Sequence, residues 1–233
     1  MIIDLEKIKD EILNHNEEYY SQLKQDILAI VINKHKTHGF FVEFGACDGI
    51  ENSNTLLLEK KYQWNGILAE PCVSYNTLLE KNRSAQIDKR AVFGTSNQLI
   101  NFKEVVVPSL SGIESFFGRD KHSKVRKKGR SYQVQTVSLF DLLEQNNSPN
   151  VIDYLSIDTE GSEFDILKNF NFNSKYHIKL ITVEHNYIQH NRERLKKLLE
   201  EHSYIRILPE ISKWDDWYIR GLNYGKNISN RTN

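Results

Sequence analysis

Four acidic residues of this sequence each come directly after a short apolar run of the kind that forms a buried strand. They are Glu43, Glu70, Asp158 and Glu184. In an open parallel sheet, ligands bind outside the carboxyl ends of the strands. If the four runs are strands of one such sheet, their acids border a single crevice. Such a crevice would repel a phosphate and favour a ligand with hydroxyl groups and positive charge.

The first of these acids opens a glycine loop, FFVEFGACDGI, at residues 40–50. Glycines at Gly45 and Gly49 let the backbone approach a ligand closely. The spacing G-x-x-x-G with Asp48 inside differs from the G-x-G-x-x-G that holds a pyrophosphate. The pattern therefore favours S-adenosylmethionine, whose ribose diol, amino group and sulfonium suit carboxylates. NAD or FAD is the weaker alternative, since Glu70 would also suit an NAD ribose. A single acid after a strand is more often a solvated residue or a helix cap, and four in register disfavour that interpretation.

Strand-like and helix-like patterns alternate along the chain. Apolar runs lie at 40–44, 66–69, 85–93, 151–157 and 178–183, and helical patterns lie between them at 54–61, 73–81, 138–145 and 162–169. This alternation indicates a parallel sheet with helical crossovers. Ser138 with Asp141 resembles a capping box that opens one of the helices.

The two ends of the chain differ from this alternation. Residues 4–36 have apolar stripes at helical spacing. After a charged helix at 189–202, the runs 203–208 and 214–220 are too close for a crossover and predict an antiparallel hairpin at one sheet edge.

Composition places the chain among globular proteins. At 233 residues and 39% hydrophobic, it is long enough for one domain with a full core. Acidic and basic residues balance at 31 each, which favours neither nucleic acid nor membrane as a partner. The first residues lack the apolar core of a signal peptide, and only Cys47 and Cys72 are cysteines. We expect a cytoplasmic protein without stable membrane insertion, and we leave open whether it forms a homo-oligomer.

Three segments together resemble a known family. They are "FVEFGACDGIENSNTLLLEKKYQWNGILAEP", "DYLSIDTEGSEFDIL" and "ITVEHN", and their joint pattern resembles the FkbM family of S-adenosylmethionine-dependent methyltransferases. The likeness runs from about residue 21 to residue 218. It implies the class I methyltransferase fold, a Rossmann-like α/β domain with a seven-stranded, mostly parallel sheet that ends in an antiparallel hairpin. It also implies O-methylation, commonly of a sugar in a glycan, nucleotide sugar or glycolipid precursor.

The alternation of elements, with no repeat and no linker rich in proline or glycine, predicts a single domain over residues 1–233. It would consist of a helical N-terminal extension at 1–38, a Rossmann-like core at 39–220 and a loose tail at 221–233.

The residues that match the family's cofactor segments form the predicted cofactor site. They are Glu43, Gly45, Ala46, Asp48, Gly49, Ser53, Asn54, Thr55, Glu70, Pro71, Arg90, Ala91 and Asp158. Glu70 would bind the ribose, and Glu43 or Asp158 would face the ammonium and sulfonium. The N–H groups at 53–55 would hold the methionine carboxylate, and Arg90 with Ala91 would flank the adenine. Ser21, Gln22 and Asp26 resemble an N-terminal helix motif of some members, which would close over the cofactor.

Methyl transfer to a sugar hydroxyl needs a base that takes the proton. The candidates are Asp158, Glu160, Glu184 and His185, with the Asp158/Glu160 pair preferred and the other two shaping the acceptor side. The same cluster could bind Mg²⁺ or Mn²⁺, but D-x-E spacing is a weak metal signal, so we expect no metal. The segment DTEG replaces the (D/N)PP(Y/F) motif associated with methylation of nucleic-acid bases, which disfavours such a substrate.

A basic run in the middle of the chain has two interpretations, and they differ in whether the acceptor is anionic. Its members are Arg119, Lys121, Lys124, Arg126, Lys127, Lys128 and Arg130, within an irregular segment at 103–133. A solvated loop is the favoured interpretation, and contact with an anionic acceptor is the alternative. A later group either borders the acceptor pocket or packs at a sheet edge, the latter being favoured. It consists of Trp214, Asp215, Asp216, Trp217 and Tyr218. Besides an O-methyltransferase, the sequence leaves an NAD(P)-dependent oxidoreductase and a non-catalytic cofactor-binding module as alternatives.

Overall fold

The computed structural model describes residues 4–16, 18–117, 126 and 128–221 of the chain. The predicted tail at 221–233 lies outside these residues except for its first member, Gly221. Four members of the basic run also lie outside them: Arg119, Lys121, Lys124 and Lys127.

The helices in the described part of the chain follow the periodic segments closely. They are α1 (Leu5–Leu13), α2 (Gln25–Ile32), α3 (Leu56–Tyr62), α4 (Asn76–Asn82), α5 (Leu139–Gln145), α6 (Glu163–Lys168) and α7 (Gln189–Glu201). Short 3₁₀ turns lie at Val73–Tyr75, Pro108–Leu110 and Glu114–Phe116. Ser138 caps α5 as predicted, because its Oγ accepts the Asp141 N–H at 3.1 Å. None of the described helices combines the length and the apolar character that crossing a membrane requires.

The strands are shorter and more numerous than the sequence suggests. They are β1 (Phe40–Phe44), β2 (Asn65–Ala69), β3 (Gln86–Asp88), β4 (Ala91–Phe93), β5 (Leu99–Val105), β6 (Gly112–Ile113), β7 (Gly129–Ser138), β8 (Val151–Ile152), β9 (Tyr154–Ile157), β10 (His177–Ile178), β11 (Leu180–Glu184), β12 (Tyr204–Ile207) and β13 (Asp215–Arg220).

The main sheet has the order β12-β13-β11-β9-β1-β2-β3. Its strands from β11 to β3 pair in parallel. The strand β13 pairs antiparallel with both β11 and β12. The α/β class predicted from the sequence is therefore confirmed.

Both faces of this sheet are buried, which explains why its strands read as nearly continuous apolar runs. Along β1, Val42 and Phe44 belong to one buried cluster, whereas Phe41 belongs to the other. The first cluster packs under α5, α6 and α7, and the second packs under α1, α2, α3 and α4. The helices α1 and α2 from the N-terminal extension are thus part of the core, with Ile27 and Leu28 of α2 fully buried.

The run at 85–93, predicted as one strand, is two strands in two different sheets. The strand β3 joins the main sheet and β4 pairs with β7. The break comes from Asp88, whose Oδ1 accepts the Arg90 backbone N–H at 2.9 Å and so closes a turn. The Arg90 side chain then folds back onto the same carboxylate, with Nη2 2.6 Å from Oδ2.

The run at 151–157 also breaks, at Asp153, into β8 and β9. Its carboxylate is almost fully buried and accepts the Phe40 N–H at 2.9 Å and the Nζ atoms of Lys36 and Lys179 at 2.7 and 2.6 Å. A third predicted strand, at 178–183, is likewise divided into β10 and β11. The short strands β8 and β10 pair with each other, beside the main sheet.

The segment at 103–133, predicted to be irregular, contributes to a second sheet with the order β4-β7-β5-β6. Here β5 and β7 pair antiparallel from Leu99↔Gln135 to Val105↔Gly129. Most residues of β5 and β7 are exposed or half-buried, and the two strands lack a clean alternation of buried and exposed residues, which is why the segment lacks a clear strand pattern in sequence. Arg126 is also buried rather than solvated, which corrects the loop interpretation for this residue.

Replacing Asp153 by alanine should destabilise the fold. Burial would raise the pKa of this carboxyl, but the hydrogen bonds from Lys179, Lys36 and the Phe40 N–H outweigh it and lower the pKa. The alanine variant leaves the Phe40 N–H without its acceptor, so we expect a loss of roughly 1–3 kcal/mol in the free energy of unfolding at neutral pH. Urea unfolding followed by circular dichroism measures this loss.

The matched control is Glu80→Ala, which breaks an exposed ion pair with Lys89 and should cost less than about 1 kcal/mol. Because the lowered pKa of Asp153 stabilises the fold above its unfolded value of 3.8, the difference between Asp153→Ala and wild type should shrink as the pH falls below that value. Equal losses for the two variants at neutral pH would contradict the role of Asp153.

Candidate active site

A cavity of about 330 Å³ lies at the carboxyl edge of the main sheet. All four strand-end acids, Glu43, Glu70, Asp158 and Glu184, line it. Asp215 joins them, because β13 runs antiparallel to its neighbour and its first residue pairs with Glu184 at the same edge. The crevice expected from the strand ends therefore exists.

The strand order arranges these acids in a row. Across the sheet they follow the sequence Glu70, Glu43, Asp158, Glu184 and Asp215, on β2, β1, β9, β11 and β13. Since neighbouring strands lie about 4.8 Å apart, the two ends of the row are roughly 19 Å apart. One end, at Glu70, is thus well separated from the other, at Asp215.

Glu70 lies at the first end and is buried. Its Oε2 accepts the Cys47 N–H at 2.9 Å, and its Oε1 accepts the Cys72 N–H at 2.8 Å. Burial raises the pKa of this carboxyl to about 7, although both N–H donors oppose the shift. Each carboxylate oxygen has two lone pairs, so one lone pair on each oxygen remains to accept from a ligand hydroxyl. The arrangement fits a vicinal diol.

Glu43 lines the cavity but is held by the chain itself. Its Oε1 accepts the Asn54 N–H at 2.7 Å, and its Oε2 accepts from Thr55 Oγ1 at 2.5 Å and from Ser53 Oγ at 3.2 Å. This carboxylate therefore braces the loop that leads into α3. It also takes the Asn54 N–H that was predicted to hold a methionine carboxylate, and direct contact of Glu43 with a ligand ammonium stays a prediction.

The loop at 45–49 needs its first glycine. Gly45 has φ +76°, and a Cβ added there would lie 2.0 Å from the Asp158 carbonyl oxygen. Only glycine permits this approach of β1 to the loop after β9. Asp48 accepts the N–H groups of Ile50 and Glu51 at 2.8 and 2.9 Å, so the acid inside the loop closes a local turn.

Most predicted cofactor residues line the cavity, and three do not. The lining set is Glu43, Gly45, Ala46, Asp48, Ser53, Asn54, Glu70, Pro71, Ala91 and Asp158. The remaining three, Gly49, Thr55 and Arg90, are absent from that lining.

Each of the three has another role. Gly49 packs on Arg83, whose Cγ would lie 2.6 Å from an added Cβ. Thr55 is buried and accepts from Arg83 Nη2 at 2.8 Å. Arg90 is paired with Asp88. Arg83 has no role in the prediction from sequence, yet it is buried and also donates from Nε to Glu59 at 2.9 Å.

Three carboxyl groups cluster at the centre of the row. Asp158, Glu160 and Glu184 each offer an oxygen within 4.8 Å of the others, and Asp158 shares a hydrogen bond with Glu184. Burial is the largest cause that raises the pKa of all three. Repulsion within the cluster adds to it for Glu160 and Glu184, and repulsion from Asp215, Glu163 and Glu70 adds to it for Asp158. Because carboxyls this close and this buried cannot all be ionised, we infer that Asp158 and Glu184 share a proton.

Two neighbouring side chains offset the charge of this cluster. Arg126 Nη2 donates to Glu160 Oε2, and its guanidinium lies over the Phe117 ring, 4.7 Å from the centroid. Asn186 Nδ2 donates to Glu184 Oε2 at 2.6 Å and lies 3.4 Å from Glu160 Oε2. Glu160 and Asn186 both have positive φ, at 60° and 49°, which is uncommon for residues other than glycine and is often found at functional sites.

His185, predicted beside this cluster, is not part of the cavity wall. Its Nδ1 accepts the Tyr187 N–H at 3.1 Å, and its Nε2 lies 3.8 Å from Asp216 Oδ1. Burial lowers the pKa of the imidazole. His185 instead lines a smaller cavity of about 70 Å³, together with Glu160, Glu184 and Asn186.

Sequence reasoning missed several residues that line the cavity. They include Gln25, Tyr75, Phe102, Ser156 and Asn186. Ser156 carries a visible signal, since it is the one polar residue inside the apolar run of β9. Trp214 and Asp215 line the cavity too, which favours a place beside the acceptor pocket for these two. Asp216, Trp217 and Tyr218 are buried and absent from that lining, which favours packing in the sheet for them. Burial raises the pKa of Asp215 to about 7, while a hydrogen bond from Gln25 opposes the shift.

The three clustered carboxylates could also hold a divalent cation. Oxygen ligands at this spacing suit Mg²⁺ or Mn²⁺. They already have Arg126, Asn186 and a shared proton as partners, which supply an alternative way to offset their charge.

Comparisons with known proteins identify one family. The model of the FkbM methyltransferase domain matches residues 43–224. The fold is similar to precorrin-6y C5,15-methyltransferase from Geobacter metallireducens GS-15, with a TM-score of 0.42 and 9% identity over 84% of this chain and 80% of that one. It is also similar to a chain of a fibrillarin/Nop5p complex, with a TM-score of 0.40 and 12% identity over 85% and 79% of the two chains. No curated protein sequence matches the chain.

Replacing Glu184 by glutamine should raise the free energy of unfolding relative to wild type, and this difference should grow as the pH rises. The folded pKa of Glu184 lies above its ordinary value of 4.5, so this group favours folding most at low pH and loses that contribution as the pH rises through the folded pKa. The amide keeps the neutral charge of the protonated acid. We expect the variant's free energy of unfolding, relative to wild type, to rise with pH by up to about 1.4 kcal/mol per pH unit above pH 5.

Urea unfolding at a series of pH values from about 5 to 9 measures this trend. The control is Glu144→Gln, because hydrogen bonds from Lys175 and Tyr176 lower the pKa of that exposed carboxyl and its ionisation is complete in this range. A difference for Glu184→Gln that stays flat or falls with pH would show that the cluster does not hold the shared proton.

Proposed function

The chain belongs to the FkbM methyltransferase family, and we propose that it is an S-adenosylmethionine-dependent O-methyltransferase that acts on a sugar hydroxyl. A glycan, nucleotide sugar or glycolipid precursor would be the acceptor. The proposal rests on one observation: two different groups of carboxyls lie at separate places in one cavity. A buried carboxylate suited to a diol lies at one end, and a cluster of three carboxyls lies farther along the same row.

The Glu70 end supports the choice of cofactor. Its carboxylate is held in place by two N–H groups and retains a lone pair on each oxygen. The ribose diol of S-adenosylmethionine would complete these hydrogen bonds. Ala91 and Pro71 line the cavity beside it and would contact the nucleoside.

The charge of the lining supports this cofactor over a dinucleotide. Eight carboxylates line the cavity: Glu43, Asp48, Glu51, Glu70, Asp158, Glu160, Glu184 and Asp215. Among the described lining residues there is no lysine, arginine or histidine. Such a wall would repel the pyrophosphate of NAD or FAD, whereas the ammonium and sulfonium of S-adenosylmethionine would be attracted. The oxidoreductase alternative is weakened for this reason.

The sheet order is consistent with the class I methyltransferase fold that the resemblance implies. That fold has mostly parallel strands and an antiparallel last strand, and β13 occupies the corresponding position between β11 and β12.

The carboxyl cluster would supply the acid–base chemistry. S-adenosylmethionine, when bound, supplies a methyl group on a sulfonium, so the leaving group needs no further activation. The protein must orient the acceptor hydroxyl and take its proton. Asp158 is the preferred base, because it lies at the middle of the row, beside the proposed cofactor, and shares a hydrogen bond with Glu184. Arg126 would hold Glu160 in position beside it.

Replacing Glu70 by alanine should abolish binding of S-adenosylhomocysteine. Two hydrogen bonds from hydroxyls to a buried carboxylate would be lost, so we expect the dissociation constant to rise by on the order of 100-fold or more. Isothermal titration calorimetry measures it, with Glu80→Ala as the control for an exposed carboxylate. Glu70→Gln, which preserves the shape, should give a smaller loss. Unchanged affinity in Glu70→Ala would refute the site, and binding of NAD instead would favour the oxidoreductase.

Replacing Asp158 by asparagine should reduce methyl transfer far more than it weakens binding of S-adenosylhomocysteine. A positioned base contributes about 10²–10⁴-fold, so we expect kcat to fall by that range. The assay uses labelled methyl donor with a panel of nucleotide sugars and glycans, read by mass spectrometry, and Asp165→Asn is the control. A wild-type protein that binds the cofactor and methylates no member of the panel would favour a binding module.

The same assay separates a proton-sharing cluster from a metal site. We expect transfer to survive EDTA, because Arg126, Asn186 and the shared proton already offset the charge of the three carboxyls. Activity that EDTA removes and Mg²⁺ restores would assign the cluster to a cation instead.

A further inference from the structure

The end of the carboxylate row farthest from Glu70 has no part in the mechanism above. Asp215 lies there, about four strand spacings from Glu70 and one from Glu184. If the cofactor spans β2, β1 and β9, as the proposed function requires, Asp215 lies beyond it. This end of the cavity would therefore contact the acceptor.

Asp215 is held by a residue from the other end of the chain. Gln25 Nε2 donates to Asp215 Oδ2 at 2.8 Å, across 190 positions of sequence. The amide is fixed at its other atom as well, because Gln25 Oε1 accepts the Leu23 N–H at 2.7 Å. Both side chains are almost fully buried, and both line the cavity.

The segment that carries Gln25 is itself rigid. Asp26 accepts the Tyr20 N–H at 2.8 Å, Ser21 Oγ at 2.5 Å and its own neighbour's N–H, from Ile27, at 2.9 Å. The helix α2 then continues into the core with all residues from Gln25 to Val31 buried. Gln22, in the turn before α2, is exposed and reaches the cavity wall.

Trp214 completes this end of the cavity. Its carbonyl oxygen accepts the N–H groups of His185 and Asn186 at 2.9 and 3.2 Å, which fixes it beside the turn that follows Glu184. Its indole is half-buried and lines the cavity. An aromatic face next to a carboxylate and amide groups offers both apolar contact and hydrogen-bond acceptors, which suits a ring that carries several hydroxyls.

We propose that Gln22, Trp214 and Asp215 form a subsite for a polyhydroxylated ring of the acceptor, with Gln25 as the positioning residue that holds Asp215. This inference rests on the proposed methyl transfer. Asp215 accepts hydrogen bonds from hydroxyls of the ring, Trp214 packs against its apolar face and Gln22 limits its size at the mouth. The subsite draws on residues 22 and 25, which precede the segment that matches the family model.

The test measures sugar and cofactor-product binding separately on the same protein. The probes are methyl glycosides of neutral hexoses, added to protein saturated with S-adenosylhomocysteine and observed by saturation-transfer NMR and titration. We expect wild type to bind at least one probe through its ring protons. Asp215→Asn and Gln25→Ala should each weaken that binding by about tenfold, while affinity for S-adenosylhomocysteine changes by less than about twofold.

A double-mutant cycle shows whether Gln25 acts through Asp215. If it does, Asp215→Asn combined with Gln25→Ala weakens the sugar no more than either single change. A merely structural effect of Gln25 would instead add to that of Asp215. The control is Gln135→Ala, an exposed amide of the second sheet, which should leave both affinities unchanged. If Asp215→Asn fails to fold, Trp214→Ala supplies the second variant and should also lose the sugar signal.

The outcomes separate this subsite from the proposed function. A wild-type protein that does not bind S-adenosylhomocysteine would contradict the proposed function. Binding of S-adenosylhomocysteine without any neutral hexoside, or with hexoside affinity unchanged in the variants, would overturn the subsite alone.

Discussion

The rest of the structure depends on one electrostatic constraint, the gathering of carboxylates at one edge of a buried sheet. Carboxyl groups at the ends of neighbouring parallel strands repel one another, and burial disfavours their charged forms. The raised pKa values of Glu70, Asp158 and Asp215 express this cost. A fold that places so many acids together must supply donors and protons to match.

Those donors come from segments outside the parallel strands. Gln25 reaches Asp215 from the N-terminal extension, Arg126 reaches Glu160 from the chain that joins β6 to β7, and the backbone N–H of Cys47 reaches Glu70 from the glycine loop. The sheet thus provides the acids and the connections provide their partners. This division explains why the segments around the sheet pack so closely on its carboxyl edge, and why glycine is needed at Gly45, where the loop meets the Asp158 carbonyl.

The strand ends could be predicted because two local signals coincide there, an apolar run and the acid that follows it. The breaks at Asp88 and Asp153 could not, because each arises when a carboxylate binds backbone or side-chain groups whose proximity the sequence does not show. The place of His185 in a smaller neighbouring cavity could not be predicted either, since two left-handed residues turn the chain directly after it. The contact between Gln25 and Asp215 spans 190 positions, and no local sequence pattern predicts it.

The burial of α2 has a consequence for how the molecule can be divided. Its apolar side chains share one cluster with Phe41, Leu58 and Trp217 of the sheet and its covering helix. A fragment cut to the limits of the family match at 43–224 would begin inside β1 and would expose to water the part of that face that α1 and α2 cover. For expression, crystallisation or grafting, the smallest independent unit therefore has to include the N-terminal helices.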